Sequence, residues 1–363
     1  MKYADHVYRS ADDRLDLYAR IYDTEGPPLL LMHGLTRNSG DFEALAGHLA
    51  GKYQLIVPDQ RGRGRSDYDP DSQNYTPAVY VDDMFALIDG LQLGNLGMIG
   101  TSMGGLMAMM MAAMSPERFD SLILNDIGPA VEAAGLARIQ GYIGRLAPFD
   151  SWQQAADHCQ SVHGDIMIGF EAQDWLAFAR HTCREMPDGK ICFAYDPAIS
   201  QGLSGSEQTV IPPDLWAIWD RLSALPTLVI RGALSDILSP ATIAEMKHRH
   251  PENFSAVEIA NRGHTPMLDE TQMGLLGGVA FALLYSTLAV PLAWVADKTN
   301  RSWVITISLV IWSGFTAISG LAQGFWSIFL ARLGVGVGEA GGVAPSYAVI
   351  SDHFPSEKRA RAL

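Results

Sequence analysis

A serine flanked by glycines is the strongest chemical signal in the sequence. The segment Gly100-Thr101-Ser102-Met103-Gly104 follows a short apolar run and precedes a long one. That order predicts a strand, a sharp turn and a helix, with Ser102 at the turn. Small residues are needed two positions on either side, because the strained serine backbone would bring larger side chains into collision. We therefore expect an exposed hydroxyl on Ser102.

A serine hydroxyl becomes a strong nucleophile only when a base removes its proton, and that base is oriented by a carboxylate. His264 and Asp236 each follow an apolar run that predicts a strand. The order Ser, Asp, His is the order that accompanies the G-x-S-x-G turn. The sequence therefore predicts that Asp236 orients His264, which takes the proton from Ser102.

A second carboxylate offers an alternative to Asp236. Asp126 also follows an apolar run, Leu122–Asn125. It is placed either to serve as the acid of the triad or to cap the start of the segment that follows. We prefer Asp236 and keep Asp126 as the alternative.

An acyl-transfer site also needs donors for the negative oxygen of its tetrahedral intermediate. The backbone N–H of Met103, at the start of the predicted helix, is one candidate. The N–H of Leu35, after His33-Gly34, is the second, and His33 itself is expected to shape that loop. Losing one such donor costs about 2.7–4 kcal/mol of transition-state stabilisation.

Alternating strands and helices indicate how these residues are positioned. Apolar runs separated by segments of helical periodicity predict an α/β fold with a mostly parallel sheet covered by helices on both faces. The alternation stops at about Gly128, where helix-like pieces and several tryptophans begin. We predict an α/β core over 1–127 and 223–270, with a helical cap over 128–222. All the candidate loops would meet at the carboxyl edge of the sheet.

Five motifs carry a resemblance to a known family. In chain order they are His33-Gly34, Asp59 with Arg61-Gly62-Arg63-Gly64-Arg65-Ser66, Gly100 to Gly105, Asp236, and Gly263-His264. Together they resemble the α/β-hydrolase superfamily, over about residues 1–270. The resemblance extends to carboxylesterase, lactonase and meta-cleavage-product hydrolase members. It implies a serine esterase that needs no cofactor and proceeds through an acyl-enzyme.

The function expected from this resemblance is hydrolysis of small to medium carboxylic esters. A lactonase or a carbon–carbon bond hydrolase with the same triad is the alternative within enzymes. A catalytically silent, membrane-anchored binding protein is the alternative from another class. The cap is expected to set the acyl and alcohol specificity, and no motif in it names a substrate.

Charge and cysteine content exclude several other functions. The net charge is −14, and residues 271–363 hold six Lys and Arg against four Asp and Glu, so the negative charge belongs to 1–270. Such an acidic chain argues against a nucleic-acid partner. The three cysteines have no C-x-x-C spacing, which predicts free thiols and no zinc site. With a polar N-terminus, the hydrolase part is expected to be cytoplasmic.

The last quarter of the chain has a different character. Three long apolar stretches, 274–296, 303–322 and 325–351, are each long enough to cross a bilayer. Residues 271–363 resemble part of a major facilitator superfamily transporter, notably in 296–301 and 331–341. Three transmembrane-like helices cannot form a two-bundle transport pathway.

The junction between the two parts predicts both a fusion and a membrane tail. We interpret Glu270–Gly274 as a join between two unrelated reading frames, and expect membrane association if the tail is genuine. We also predict a helix that begins within a few residues of Leu268 and covers the sheet.

Overall fold

The computed structural model describes residues 2–22, 25–49, 51–144, 148–204, 215–268, 298–319 and 333–340, with 292, 294, 296, 330 and 331. The chain forms two compact units, Met1–Asp269 and Glu270–Leu363.

The first unit is built on an eight-stranded sheet in the order β1-β2-β4-β3-β5-β6-β9-β10. Strands β1 and β2 pair antiparallel, as do β2 and β4, and all other neighbours are parallel. A separate antiparallel ribbon joins β7 and β8. The strands are β1 Ala4–Arg9, β2 Asp16–Tyr22, β3 Pro28–Met32, β4 Gln54–Asp59, β5 Leu96–Thr101, β6 Phe119–Asn125, β7 Cys183–Glu185, β8 Ile191–Phe193, β9 Thr227–Gly232 and β10 Phe254–Ile259.

Helices connect and cover these strands, so the predicted α/β fold is confirmed. Short 3-10 turns occupy Ser39–Phe42, Ser72–Asn74 and Pro116–Arg118. The α-helices are α1 Glu43–Leu49, α2 Pro77–Gly90, α3 Met103–Met114, α4 Ala133–Tyr142, α5 Trp152–His163, α6 Ala172–Thr182, α7 Ile199–Ser204, α8 Leu215–Asp220, α9 Pro240–Arg249 and α10 Arg301–Ser319.

The central strands are apolar at every position because both of their faces are buried. In β3, Leu30 and Met32 pack into the cluster that contains α2 and α3. Leu29 and Leu31 point to the other face, where they pack with α1. Helix α3 packs against β5, β6, α2 and α8, and a helix enclosed in this way is apolar on all sides. This burial fixes the β5–α3 junction that carries Ser102.

The segment between β6 and β9, which contains the predicted cap, is an insertion above the carboxyl edge of the sheet. It contains α4 to α8 and, in addition to the expected helices, the β7–β8 ribbon. Part of it has its own apolar cluster, which includes Phe149, Cys159, Trp175 and Phe178. It therefore packs around a second small core above the sheet.

In the second unit, α10 is long and apolar enough to span a membrane. It has 19 residues, a mean hydropathy of 1.6 and only 6% of its most apolar window buried. It covers most of the second predicted span. The other two spans, 274–296 and 325–351, fall largely outside the described residues, and so does the helix predicted near Leu268.

Candidate active site

Ser102 stands on a sharp turn between β5 and α3. Its backbone angles are φ 51° and ψ −115°, a conformation that L-residues rarely adopt. A Cβ on Gly100 would lie 2.4 Å from the carbonyl oxygen of Gly104, and one on Gly104 would lie 2.2 Å from that of Met32. The two glycines therefore allow the turn to close and to present the hydroxyl of Ser102.

His264 lies directly beside this hydroxyl. Its Nε2 is 2.8 Å from Ser102 Oγ, and its side chain is only 6% exposed. The loop that carries His264 is tied to the end of β6, because the Asn125 side-chain amide donates to the carbonyl oxygen of Pro266 at 2.9 Å. The imidazole is thus in place to take a proton from Ser102.

The carboxylate that contacts this imidazole belongs to Asp126. Its Oδ2 lies 2.8 Å from His264 Nδ1, and its side chain is fully buried. Asp126 follows β6 directly and has φ 57°, while its N–H donates to the carbonyl oxygen of Ile230 on neighbouring β9. The strand end and the left-handed backbone together turn the carboxylate towards His264.

The predicted contact between Asp236 and His264 is wrong. Both oxygens of Asp236 instead accept hydrogen bonds from Arg138 on α4, at 2.6 and 2.8 Å. These bonds lower the pKa of Asp236. The reason lies in the loop after β9, where the carbonyl oxygen of Ile237 accepts from the N–H of Glu132. This bond ties the loop to the insertion, so that Asp236 faces the cap.

Ser235 is a site residue that the sequence reasoning missed. Its Oγ donates to Asp126 Oδ2 at 2.6 Å, while Asp126 Oδ1 accepts from the N–H of Gly232 at 2.9 Å. With His264, these groups supply three hydrogen bonds to one buried carboxylate. Ser235 could have been found from the sequence, because it directly precedes Asp236 in a loop that was already a candidate for catalysis.

The two predicted oxyanion donors flank the nucleophile. Met103 begins α3, and the first N–H groups of a helix have no partner within it. On the other side, a Cβ on Gly34 would lie 3.8 Å from the Cβ of Ser102, so the Gly34-Leu35 loop passes beside the serine. Leu35 lines the same cavity as Ser102.

Two buried side chains hold the Gly34-Leu35 loop in place. Arg63 donates from Nε to the carbonyl oxygen of Leu35 at 2.9 Å. His33 Nδ1 lies 2.7 Å from the carbonyl oxygen of Gly34, and its Nε2 accepts from the N–H of Gln60 at 3.2 Å. Burial lowers the pKa of His33 to about 3. The neutral imidazole therefore connects two loops.

The cavity above Ser102 has a volume of about 90 Å³ and walls from both core and cap. The sheet side contributes Leu35, Ser102 and His264, while the cap contributes Tyr142 and His163 among others. Cap residues thus face the predicted nucleophile directly.

Comparison with known protein families shows which family this chain belongs to. A family model described as alpha/beta hydrolase fold matches residues 27–271, more than half of the chain. The chain belongs to the α/β-hydrolase family. A second model, the Major Facilitator Superfamily, matches residues 223–363. The predicted combination of a hydrolase with a transporter fragment is confirmed.

Individual α/β-hydrolases similar to this chain include enzymes and a solved structure. The 3-hydroxybutyrate-oligomer hydrolase of Cupriavidus necator is 31% identical over 71% of this chain and 92% of its own length. The 2-(acetamidomethylene)succinate hydrolase of Mesorhizobium japonicum is 26% identical over 62% of this chain and 78% of its own. A crystal structure of an alpha/beta hydrolase from Novosphingobium aromaticivorans superposes with a TM-score of 0.70 at 39% identity, covering 74% of this chain and 94% of that one.

A cysteine also lines the cavity of this α/β-hydrolase and could in principle compete with Ser102. Burial raises the pKa of Cys159 to about 11. Since only the thiolate attacks carbonyl carbon effectively, Cys159 is a poor nucleophile at neutral pH. Among the described residues, no group of three or more His, Cys, Asp or Glu is arranged to hold a metal ion.

Proposed function

We propose that this α/β-hydrolase cleaves small to medium carboxylic esters through an acyl-enzyme on Ser102. The observation that carries the proposal is the continuous chain Ser102 Oγ to His264 Nε2 and His264 Nδ1 to Asp126 Oδ2, with 2.8 Å at each step. A hydroxyl, an imidazole and a buried carboxylate in this order perform nucleophilic acyl transfer.

In the first half of the reaction, His264 Nε2 takes the proton of Ser102 as Oγ attacks the ester carbonyl carbon. The N–H groups of Leu35 and Met103 stabilise the negative oxygen of the tetrahedral intermediate. The intermediate collapses with cleavage of the carbon–oxygen bond to the alcohol, which leaves with the proton from His264. The acyl group remains on Ser102.

In the second half, water replaces the alcohol. His264 takes a proton from the water, whose oxygen attacks the acyl carbon. The second tetrahedral intermediate collapses, Ser102 regains its proton from His264, and the carboxylic acid departs. Asp126 holds the imidazole and stabilises its charged form in both halves.

The cavity volume supports a substrate of modest length, and a relative supports an ester as its chemical class. A volume of about 90 Å³ beside Ser102 suits a short acyl or alcohol group. The Cupriavidus necator relative is named for hydrolysing 3-hydroxybutyrate oligomers, and the units of such oligomers are joined by ester bonds. The volume points towards a short group beside Ser102, and the relative points towards an ester bond as the bond that is cleaved.

A series of p-nitrophenyl esters with acyl chains from acetyl to dodecanoyl tests the proposal. The full chain, kept in a mild detergent because of its apolar tail, is compared with Ser102→Ala. We expect Ser102-dependent turnover that is highest for short acyl chains. Turnover of a lactone series in place of the open esters would favour the lactonase alternative, and inactivity of the intact protein on every ester would defeat the proposal.

A further inference from the structure

A buried guanidinium contacts both residues that carry the predicted oxyanion donors. Arg63, in the loop after β4, is 0% exposed. Its Nε donates to the carbonyl oxygen of Leu35 at 2.9 Å, and its Nη2 lies 3.8 Å from the Sδ atom of Met103. Because a substrate in the cavity cannot reach a fully buried side chain, Arg63 can act on the reaction only through these two residues.

The positive charge of Arg63 has no carboxylate partner in the part of the chain that the structure describes. Its Nη1 donates to the carbonyl oxygen of Arg61 at 2.8 Å. Its guanidinium lies 4.6 Å from the ring centroid of Tyr80 and 5.6 Å from that of Tyr75. Burial raises the pKa of both phenols, so they stay neutral. The described partners of Arg63 are therefore all uncharged.

The neighbouring Arg61 shows the opposite arrangement. It is equally buried, but it donates to Asp69 at 2.7 Å and to the two oxygens of Asp83 at 2.7 and 2.8 Å. The same loop thus neutralises one buried arginine and leaves the other with uncharged partners. A buried charge without a counter-charge is costly. Such a charge is useful where the opposite charge develops during a reaction.

We propose that Arg63 is a positioning residue of the oxyanion site, which holds Leu35 and Met103 in place and whose unbalanced positive charge stabilises the negative oxygen. The inference rests on the proposed ester hydrolysis by Ser102. It adds a buried electrostatic contribution to the two backbone donors.

The charge of Arg63 should act on the intermediate more than on the bound ester. The carbonyl oxygen of the bound ester is uncharged, whereas in the tetrahedral intermediate it carries a negative charge. Attraction between charges is stronger inside a protein than in water, because the surroundings screen it less. An interaction that is stronger in the transition state than in the ground state raises kcat and leaves KM nearly unchanged.

Substitutions of Arg63 in the full chain, assayed with p-nitrophenyl butyrate, test the proposal. Arg63→Met keeps the length of the side chain without its charge. We expect kcat to fall by about 10–100-fold, less than the loss of about 10²–10³-fold for a direct donor, with KM within about threefold of the parent value. Arg63→Lys keeps the charge without the planar fork, so its kcat should exceed that of Arg63→Met by about threefold or more.

Arg65→Met is the matched control. It is the same substitution in the same loop, at a side chain that is 55% exposed and pairs with Asp5. It should retain the kcat and KM of the parent protein, because exposed ion pairs contribute little.

Inhibition by trifluoromethyl propyl ketone measures the oxyanion more directly. Ser102 Oγ bonds to the carbonyl carbon, its proton passes to His264 Nε2, and the former carbonyl oxygen becomes negative. This adduct has no leaving group, so the inhibition constant reports its stability. We expect Arg63→Met to weaken inhibition by about the same factor as it lowers kcat.

The outcomes distinguish this inference from the proposed function. If Arg63→Met has a kcat within about threefold of the parent protein, or changes KM alone, the role of Arg63 is refuted while ester hydrolysis stands. Equal losses of kcat in Arg63→Met and Arg63→Lys would refute the role of the charge. If circular dichroism shows that Arg63→Met does not fold, Arg63→Gln takes its place, since its amide is an uncharged donor. If the parent protein shows no Ser102-dependent turnover, both proposals fall.

Discussion

Asp126 Oδ2 lies 2.8 Å from Nδ1 of His264, and both side chains are buried. The contact requires the Nδ1 to carry the proton, which leaves the lone pair of Nε2 facing Ser102. The tautomer of the proposed base is therefore set by a residue that directly follows a central strand.

Replacing each of the two candidate carboxylates by an amide, one at a time, tests whether Asp126 is the acid of the triad. Asp126→Asn keeps the shape of the side chain but offers an amide to Nδ1, so we expect kcat to fall by about 10⁴-fold, as for the corresponding change in a serine protease triad. Steady-state ester hydrolysis measures the loss.

Asp236→Asn is the matched comparison. The Asp236–Arg138 pair is about 30% exposed on each side, and pairs of this kind contribute about 1 kcal/mol or less to stability. We expect a small fall in the unfolding midpoint and a kcat within about threefold of the parent protein. A large loss of kcat in Asp236→Asn with little loss in Asp126→Asn would reverse the assignment.

Removal of the proposed nucleophile or base should abolish turnover. Ser102→Ala and His264→Ala are each expected to lower kcat by about 10⁴–10⁶-fold, and the double variant by little more, because the groups act as one unit. Circular dichroism checks that the fold is kept. Ser223→Ala, on an exposed surface position, should retain full activity, and additive losses in the double variant would contradict a shared mechanism.

Ser235→Ala removes the hydroxyl that donates to Asp126. A hydrogen bond to a carboxylate contributes about 1.5–3 kcal/mol, and part of that loss should appear as a roughly tenfold lower kcat with KM nearly unchanged. Ser235→Thr retains a hydroxyl and should recover most of the rate. If Ser235→Ala raises KM instead of lowering kcat, Ser235 acts on substrate binding and not on the position of Asp126.

His33 should make stability depend on pH. Its pKa is about 3 in the folded protein against an ordinary value of 6.5. Below pH 6.5 the imidazole of His33 therefore binds a proton in the unfolded chain, whereas in the folded protein it stays neutral down to about pH 3. The free energy of unfolding should fall with falling pH over this window, by about 1.4 kcal/mol per pH unit for this one group.

His33→Gln isolates this contribution. The variant should be less stable at pH 7, but its stability should fall less steeply between pH 6 and 4. Urea-unfolding midpoints at several pH values give the slopes. Parallel slopes for the two proteins would show that His33 is not the group responsible.

The exposed apolar surface of α10 predicts membrane attachment. Trp303, Val310 and Ile318 are among its exposed large side chains. We expect the full chain to resist extraction from membranes by alkaline carbonate, and a chain ending at Asp269 to be released. Complete release of the full chain would contradict attachment.

Much of the core could be predicted because its signals are local. The β5–α3 turn depends on Gly100 and Gly104, within two residues of Ser102, and continuous apolar runs mark strands that are buried on both faces. The place of His264 could also be predicted, because the end of a parallel strand fixes the edge of the sheet at which the following loop lies.

The acid could not be chosen from sequence, because both candidates follow strands that are neighbours in the sheet. The choice depends on the left-handed backbone of Asp126 and on the contact of Asp236 with Arg138 from a distant helix. The cap residues that line the cavity could not be chosen from sequence for a similar reason, since only the folding of the cap brings α5 over Ser102.

The chain leaves the core just after Asp126 and returns to it at β9, so in the described part of the chain the insertion interrupts the scaffold of the proposed active site once. The proposed attack chemistry is built on the sheet, while the insertion supplies walls of the cavity beside Ser102. Over evolutionary time, the two can therefore diverge separately. Exchanging the insertion between relatives in the laboratory is therefore a route to new substrate preferences. The Arg138–Asp236 ion pair, which connects the insertion to the loop after β9, should be kept in such an exchange.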